Sequence, residues 1–346
     1  MRSTEYLPIF EATRGNLVES LHLGAFAVVD NKGSLVASWG DPDSTTFLRS
    51  ASKPFQALPF MENNGDDYFG LNEEETAIFC ASHSGTDEHV NVLKSLHQKM
   101  GLQAGMLQCG THIPSDPDVW VAMIKRGEEP TPIRHMCSGK HTGMLGYGRL
   151  IGADLVSYLS MDNTIQKDIL KTFSEMTDSP MDKIILGIDG CSAPNFAVPL
   201  RNAAYAFARL CDPVGLSAAR TSACHRISSA MRDHPNMIAG PRKFDTLVMG
   251  LTNRKIVSKA GAEGYQCLGV MPGAIEPGSP ALGIAMKIAD GDIDDRVRPL
   301  VSIEILRQLG AITASEAISL HKFGPRRIFN AAKLEVGEFR PAFSMK

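Results

Sequence analysis

Three short segments set hydroxyls beside amines in patterns that let one group take a proton from the other. In Arg49-Ser50-Ala51-Ser52-Lys53-Pro54-Phe55, Ser50 and Lys53 stand three residues apart, a spacing that puts two side chains on one face of a helical turn. A serine hydroxyl is a poor nucleophile until its proton is removed, and a lysine amine stripped of water can remove it. Pro54 disfavours helical geometry at Lys53, so this turn must be a helix entrance or a distorted one. A solvated helix N-terminus is the plainer reading of the same residues. In Cys80-Ala81-Ser82-His83-Ser84-Gly85-Thr86-Asp87, two serine hydroxyls lie among small residues ahead of a helix that Asp87 could cap. Backbone N–H groups free of any ladder there could hold an anion or oxyanion. Ser82 is then a second candidate hydroxyl and His83 a candidate substrate contact, while an ordinary polar loop fits equally well. In Ser258-Lys259-Ala260-Gly261-Ala262-Glu263-Gly264, a lysine ends a predicted strand and a glycine-rich turn follows. Such a turn can bring an ammonium and bare backbone beside a ligand, or simply close a hairpin.

The thiols suggest a second kind of chemistry. Cys137-Ser138-Gly139-Lys140-His141 and Asp189-Gly190-Cys191-Ser192-Ala193-Pro194 are glycine-containing thiol segments, and no C-x-x-C occurs among the seven cysteines. Spacing therefore does not indicate a closed structural zinc site. Two distant thiols could still converge with a third donor into an open site. Lys140 would have to lose its proton to join them, which a divalent ion can bring about. Buried structural cysteines are the alternative. His97 and His225 fall in predicted helices and read as core or surface residues without a chemical role.

The elements that must position these groups are legible in outline. Gly24 to Asp30 and Ser34 to Trp39 flank Asn31-Lys32-Gly33 as a hairpin, with Gly33 able to take positive φ. Lys255 to Lys259, Tyr265 to Val270 and Leu282 to Ile288 read as three more strands between Gly- and Pro-rich turns. Between the two strand groups the period changes. Asn72 could cap a helix with Glu73, Glu74 and Glu75 in its first turn. A longer helix carries Val90, Leu93, His97 and Met100 on one face and stops at Gly101. Ile165, Ile169, Leu170, Phe173 and Met176 repeat the helical period, as do Val297, Leu300, Ile303 and Leu306, while Arg126 to Pro132 reads as an exposed loop. Strands at both ends with helices between them give an α/β architecture.

Composition narrows the class. With 346 residues, 43% hydrophobic and 21% charged, the chain suits one large domain or one domain with a second lobe. A net charge of −3 gives no reason to expect nucleic acid or an anionic membrane as partner. Met1 to Gly15 is too charged for a secretory signal, no apolar run reaches membrane-spanning length, and the scattered cysteines read as reduced thiols. A cytoplasmic protein is the expectation.

The S-x-x-K spacing also occurs in penicillin-recognising serine enzymes, and Lys259-Ala260-Gly261 is similar to their K-T-G with Ala260 in place of Thr. Taken together, RSASKPFQA, CASHSGTDEH, CSGKHTGM, GIDGCSAPNFAVPL and KAGAEGY resemble the asparaginase II family, the rhizobial-type L-asparaginases, in family order from about Phe10 to Asp292. That resemblance implies a fold related to serine β-lactamases and glutaminases: α/β, with a mostly antiparallel sheet built from both chain ends and a helical lobe in the middle, in one catalytic domain over residues 1–346. It implies hydrolysis of L-asparagine to L-aspartate and ammonia, with Ser50, Lys53, Ser82 and Lys259 as the catalytic group. It also implies zinc held by Cys137, Lys140 and Cys191. The segment after Asp292 carries no matching motif, and a homodimer is the expected assembly.

The mechanism expected on this basis is covalent. Lys53 deprotonates Ser50, which attacks the side-chain amide carbon, with N–H groups of Ser50 and of the Gly261 turn holding the oxyanion. Ser82 and Lys259 then move the proton to the departing ammonia; alternatively Ser82 attacks and Ser50 relays. A small zwitterion needs paired charges. Arg49 is the candidate for the substrate carboxylate and Asp189 or Glu263 for its ammonium, with His83, Gly261 and Ala262 completing the contacts. Three other readings stay open: a serine amidase for glutamine or a β-lactam, a non-catalytic binding protein, and a hydrolase in which zinc activates water.

Overall fold

The computed structural model describes residues 5–345. Its strands in chain order are β1 (Leu7–Arg14), β2 (Leu17–Asp30), β3 (Leu35–Trp39), β4 (Thr45–Phe47), β5 (Ile185–Ile188) and β6 (Pro194–Pro199). They continue with β7 (Ile256–Ala260), β8 (Tyr265–Val270), β9 (Leu282–Ile288), β10 (Arg326–Phe329) and β11 (Glu335–Pro341). The chain divides into two compact units, one built from residues through 48, 198–212 and 247 onward, the other from 49–197 and 213–246.

The first unit holds an eight-stranded sheet in the order β10-β11-β1-β2-β9-β8-β7, with β3 also paired to β2. Its pairings are antiparallel, so strands from both chain ends make one sheet, as expected. The 14-residue β2 is long enough to serve β1 along residues 17–24 and β3 along 26–29, while β9 pairs with 24–30. β8 and β9 are buried almost throughout. The helix Leu200–Cys211 packs on β2, β8 and β9, and two glycines admit it. A Cβ at Gly283 would lie 1.7 Å from the Ala204 carbonyl oxygen, and one at Gly269 would lie 2.3 Å from Cys211 Sγ. A second helix, Val297–Gln308, buries the predicted stripe of Val297, Leu300, Ile303 and Leu306. Asp292 serves its N-terminus, accepting from the N–H groups of Arg296, Val297 and Arg298 at 3.1, 3.0 and 2.8 Å.

The second unit is mainly helical. Its helix Lys53–Glu62 is buried from Lys53 through Met61 and packs against Ser138–Ile151, Thr164–Thr177 and Ala218–Asp233. Gly139 lets the Ser138–Ile151 helix close on the turn Ile78–Cys80, since a Cβ there would sit 2.0 Å from the Ile78 carbonyl oxygen. That approach brings the Ser82 segment against the segment holding Cys137 and Lys140. A small antiparallel pair, β5 with β6, frames Asp189 to Ala193.

Several elements match their sequence signals and some do not. Asn72 caps its helix in a reciprocal box with Glu75, at 2.8 and 3.0 Å. The cap expected at Asp87 is instead Thr86, whose Oγ1 accepts from the His89 N–H at 3.3 Å. Asp87 becomes the first helical residue, where its charge faces the positive helix end. Gly101 stops that helix at φ +63°. His97 is buried against the Thr142 hydroxyl at 3.0 Å, and His225 is exposed. Strands β1, β4, β5, β6, β10 and β11 are additions to the sequence reading. No helix among the described residues is long and apolar enough to cross a membrane.

Candidate active site

The turn Arg49–Ser52 is a single 3-10 turn, and the α-helix begins only at Lys53. Pro54 then falls in the first helical turn, where a missing N–H costs nothing. Arg49 holds a left-handed backbone at φ +52°, pinned by its N–H to Asn195 Oδ1 at 3.1 Å. The expected shared helical face of Ser50 and Lys53 is therefore replaced by another contact. Lys53 is fully buried, and its Nζ donates to the Ala81 carbonyl at 2.5 Å, Ser82 Oγ at 3.0 Å and Cys137 Sγ at 3.3 Å. Ser50 is half-buried, and among the described residues it makes no side-chain hydrogen bond. Its N–H lies ahead of the first intrahelical acceptor and is uncommitted to the ladder.

The Ser82 segment is more tightly tied than its sequence suggests. The N–H of Ser82 donates to the Ile238 carbonyl at 2.8 Å, that of Gly85 to His83 Nδ1 at 3.1 Å, and that of Thr86 to His89 Nδ1 at 3.2 Å. These groups are spent on the protein and are not the oxyanion donors expected of them. The Gly85 bond leaves His83 Nδ1 as an acceptor, so Nε2–H donates to Ser138 Oγ at 2.9 Å, and Ser138 donates onward to the Ile133 carbonyl at 2.8 Å. Burial, then the nearby His89 and Lys53, hold the His83 imidazole well below its usual range, so it is neutral. With 1% of its surface exposed and both ring nitrogens engaged, His83 is not the substrate contact predicted. It ties the Ser82 loop to the helix that carries Lys140.

Cys137 precedes that helix and Lys140 lies in its first turn, while Cys191 sits between β5 and β6; all three are buried. Lys140 Nζ donates to Cys191 Sγ at 2.8 Å, and the two thiols share a hydrogen bond. That bond from Cys191, helped by Lys53, His135 and Lys140 against the cost of burial, holds Cys137 well below the usual thiol range. The same bond and burial push Cys191 up, so the pair carries its one negative charge on Cys137. Burial lowers Lys140, but Cys191, Cys137 and Asp189 outweigh it and raise the amine. Two sulfurs and an amine in one buried cluster are a donor set that suits zinc with a fourth position left over. Among the described residues no three His, Cys, Asp or Glu side chains gather to hold a metal.

Arg49 and Asp189, expected at opposite ends of a substrate, pair with each other. Arg49 Nε and Nη2 both lie 2.8 Å from Asp189 Oδ1, which also accepts from the Gly190 N–H at 2.8 Å. Among the described residues Oδ2 accepts nothing. Asn195, which fixes the Arg49 backbone, escaped notice in the sequence although it lies inside the GIDGCSAPNFAVPL motif.

In the first unit, Lys259 is fully buried on β7, paired with Cys267 of β8, and its Nζ donates to the Ala260 carbonyl at 2.8 Å. The Gly261 N–H donates to the Tyr265 carbonyl at 2.8 Å, so it closes the turn and is not open to an oxyanion as expected. Gly261 leaves no room for a side chain, because a Cβ would lie 2.4 Å from the carbonyl oxygen of Leu48. Ala262 and Glu263 are exposed at the tip, Glu263 in the left-handed region at φ +59° with its carbonyl bonded by Lys287 Nζ.

The sequence profile described as L-asparaginase II matches residues 10–341. The chain belongs to the L-asparaginase II family. The match covers every residue of the site and runs through β11, so the segment after Asp292 is family sequence too, beyond the limit its motifs suggested. Solved structures resemble the chain more distantly. Mglu in its native form in 4.3 M NaCl is 14% identical, covering 78% of this chain and 56% of its own, at a TM-score of 0.39. The Bacillus subtilis glutaminase YbgJ in covalent complex with 5-oxo-L-norleucine is 11% identical, covering 86% of each chain, at 0.34. A probable glutaminase from Bacillus subtilis complexed with 6-diazo-5-oxo-L-norleucine is 10% identical, covering 86% of this chain and 82% of its own, at 0.35. This member of the L-asparaginase II family thus spans little more than half the length of Mglu. Comparison with curated proteins finds no match.

Proposed function

We propose that this protein is an amidohydrolase that converts L-asparagine and water to L-aspartate and ammonia. The observation that carries the reading is the fully buried amine of Lys53, 3.0 Å from the half-exposed hydroxyl of Ser82. A buried amine against an accessible hydroxyl is the pairing that serine–lysine acyl transfer needs. In the proposed sequence Ser50 Oγ forms a bond to the side-chain amide carbon, and its proton passes through Ser82 to Lys53. The uncommitted Ser50 N–H supports the oxyanion, a contribution of about 3 kcal/mol for one such donor. The C–N bond breaks as the proton returns to nitrogen with the help of Lys259, and ammonia leaves. Water then adds to the ester, gives its proton to the same amine, and frees aspartate. The KAGAEGY motif, which lies inside the region of the family match, supports the assignment of Lys259.

Arg49 is the proposed partner of the substrate carboxylate, and Asp189 Oδ2 that of its ammonium. Cys137, Lys140 and Cys191 would hold zinc, which when bound supplies a fixed positive charge and one open coordination position. The Lys53–Ser82 contact also favours a second version, in which Ser82 attacks directly. A diazoketone analogue of asparagine, followed by peptide mass spectrometry, distinguishes the two by whether Ser50 or Ser82 carries the adduct. The governing experiment is ammonia release from asparagine and from glutamine by wild type, Ser50→Ala and Ser82→Ala, with metal content measured on the same samples. Loss of asparagine turnover in Ser50→Ala is expected; near-wild-type release there transfers the attack to Ser82. A wild type that frees no ammonia from asparagine overturns the proposal.

A further inference from the structure

The segment beyond Asp292 sets a buried arginine against the turn that follows β7. We propose that Arg298 is a positioning residue that holds the turn behind Lys259, an inference resting on the reading of Lys259 as an active-site amine. Arg298 is 7% exposed, and its Nη1 donates to the carbonyls of Gly261 at 3.0 Å and Tyr265 at 3.3 Å. These are the two residues whose mutual 2.8 Å hydrogen bond closes the turn after β7. The guanidinium is itself anchored. Its Nη2 pairs with Asp295, and the Arg298 N–H donates to Asp292 Oδ2 at 2.8 Å, which places the residue at the capped start of its helix. A buried cation is costly unless its donors are met, and here part of that donor set is committed to the carbonyls of one turn.

The other side of the turn is held as firmly. Lys287 Nζ bonds the Glu263 carbonyl, and Gly264 lies so close to β9 that a Cβ would sit 2.9 Å from Ile288 Cβ. Gly261 follows β7 directly, two residues after Lys259, so a turn that slackens carries the lysine with it. Misplacing a reacting group by about 1 Å costs on the order of a hundredfold in rate. A lysine at 298 would keep the charge but not the planar fork that spans both carbonyls and Asp295 together.

The test is a double-mutant cycle on the full chain with Arg298→Lys and Lys259→Ala, read as kcat and KM for asparagine, single-turnover ammonia release and Tm. Arg298→Lys is expected to lower kcat by roughly 10- to 100-fold with KM and Tm nearly unchanged, and to cause no further loss when Lys259 is already alanine. Unchanged kcat, or an equal loss in both backgrounds, overturns the inference. Full activity in Lys259→Ala would instead bring down the assignment of that lysine, and this inference with it. Should Arg298→Lys fail to fold, Asp295→Asn loosens the same guanidinium from outside the turn. It is expected to lower kcat only while Lys259 is present, and no loss or an equal loss in both backgrounds overturns the inference.

Discussion

Lys53 faces a carbonyl, a hydroxyl and a thiolate at once, and the balance among them sets what it can do. As a cation it is held by the Ala81 carbonyl and the Cys137 sulfur; as a neutral amine it can accept only from Ser82. Lys53→Met keeps the buried stem and removes the nitrogen. Ammonia release is expected to fall by about a thousandfold or more while Tm stays near that of the wild type; an unchanged rate would place the base elsewhere. The types of these groups were readable from sequence, but their pairing was not. The four-residue spacing pointed to Ser50 as the partner of Lys53, and it failed because the helix starts at Lys53 itself, after a left-handed Arg49. Arg49 and Asp189 lie 140 residues apart, and nothing local in either segment announces that they neutralise one another.

At the scale of elements, the Thr86–Met100 region couples helix capping to proton uptake. His89 packs fully buried, its Nδ1 accepting from Thr86 Oγ1 at 2.5 Å and its Nε2 donating to the Asn236 carbonyl at 3.0 Å. Burial, opposed by the Asn236 carbonyl, lowers its pKa from 6.5 to about 4. The unfolded chain thus binds this proton near pH 6.5 and the folded chain only near 4, so between those values the unfolded state holds more protons. Stability is full above the higher value and lost as pH falls through the window, by about 3 kcal/mol for this one group. Urea denaturation at pH 7, 5.5 and 4.5 is expected to show the decline, and His89→Gln to flatten it; an unaltered slope in that variant would refute the assignment. Strands β8 and β9 could be read from sequence because each is an apolar run bounded by turn residues. Strands β10 and β11 could not, since neither is a buried apolar run, and β11 finds its partner β1 from the far end of the chain, Phe10 opposite Pro341.

For the molecule as a whole, the zinc reading has a stability consequence as well as a chemical one. A metal that binds the folded chain and not the unfolded one raises Tm by mass action. Cys137→Ser and Cys191→Ser are each expected to abolish retained zinc after dialysis, as elemental analysis reads, and to remove the rise in Tm that added zinc gives the wild type. Full zinc retention in both variants would refute the ligand set. The α/β class and the origin of the sheet in both chain ends were visible in the order of strand-like and helix-like segments. The division into two units was not, because their boundaries at 48, 198, 213 and 247 fall inside continuous, ordinary sequence.

The sheet's register also fixes a schedule for synthesis. Asp30 of β2 pairs with Leu282 of β9, so a ribosome must add some 250 residues after making one edge of that ladder before it supplies the other. At roughly 5–20 residues per second, β2 stands without this neighbour for on the order of 10–50 s. An apolar strand edge left bare for that long is open to pairing with other nascent chains, which makes dilute, slow expression or chaperone cover the condition under which this sheet closes on itself.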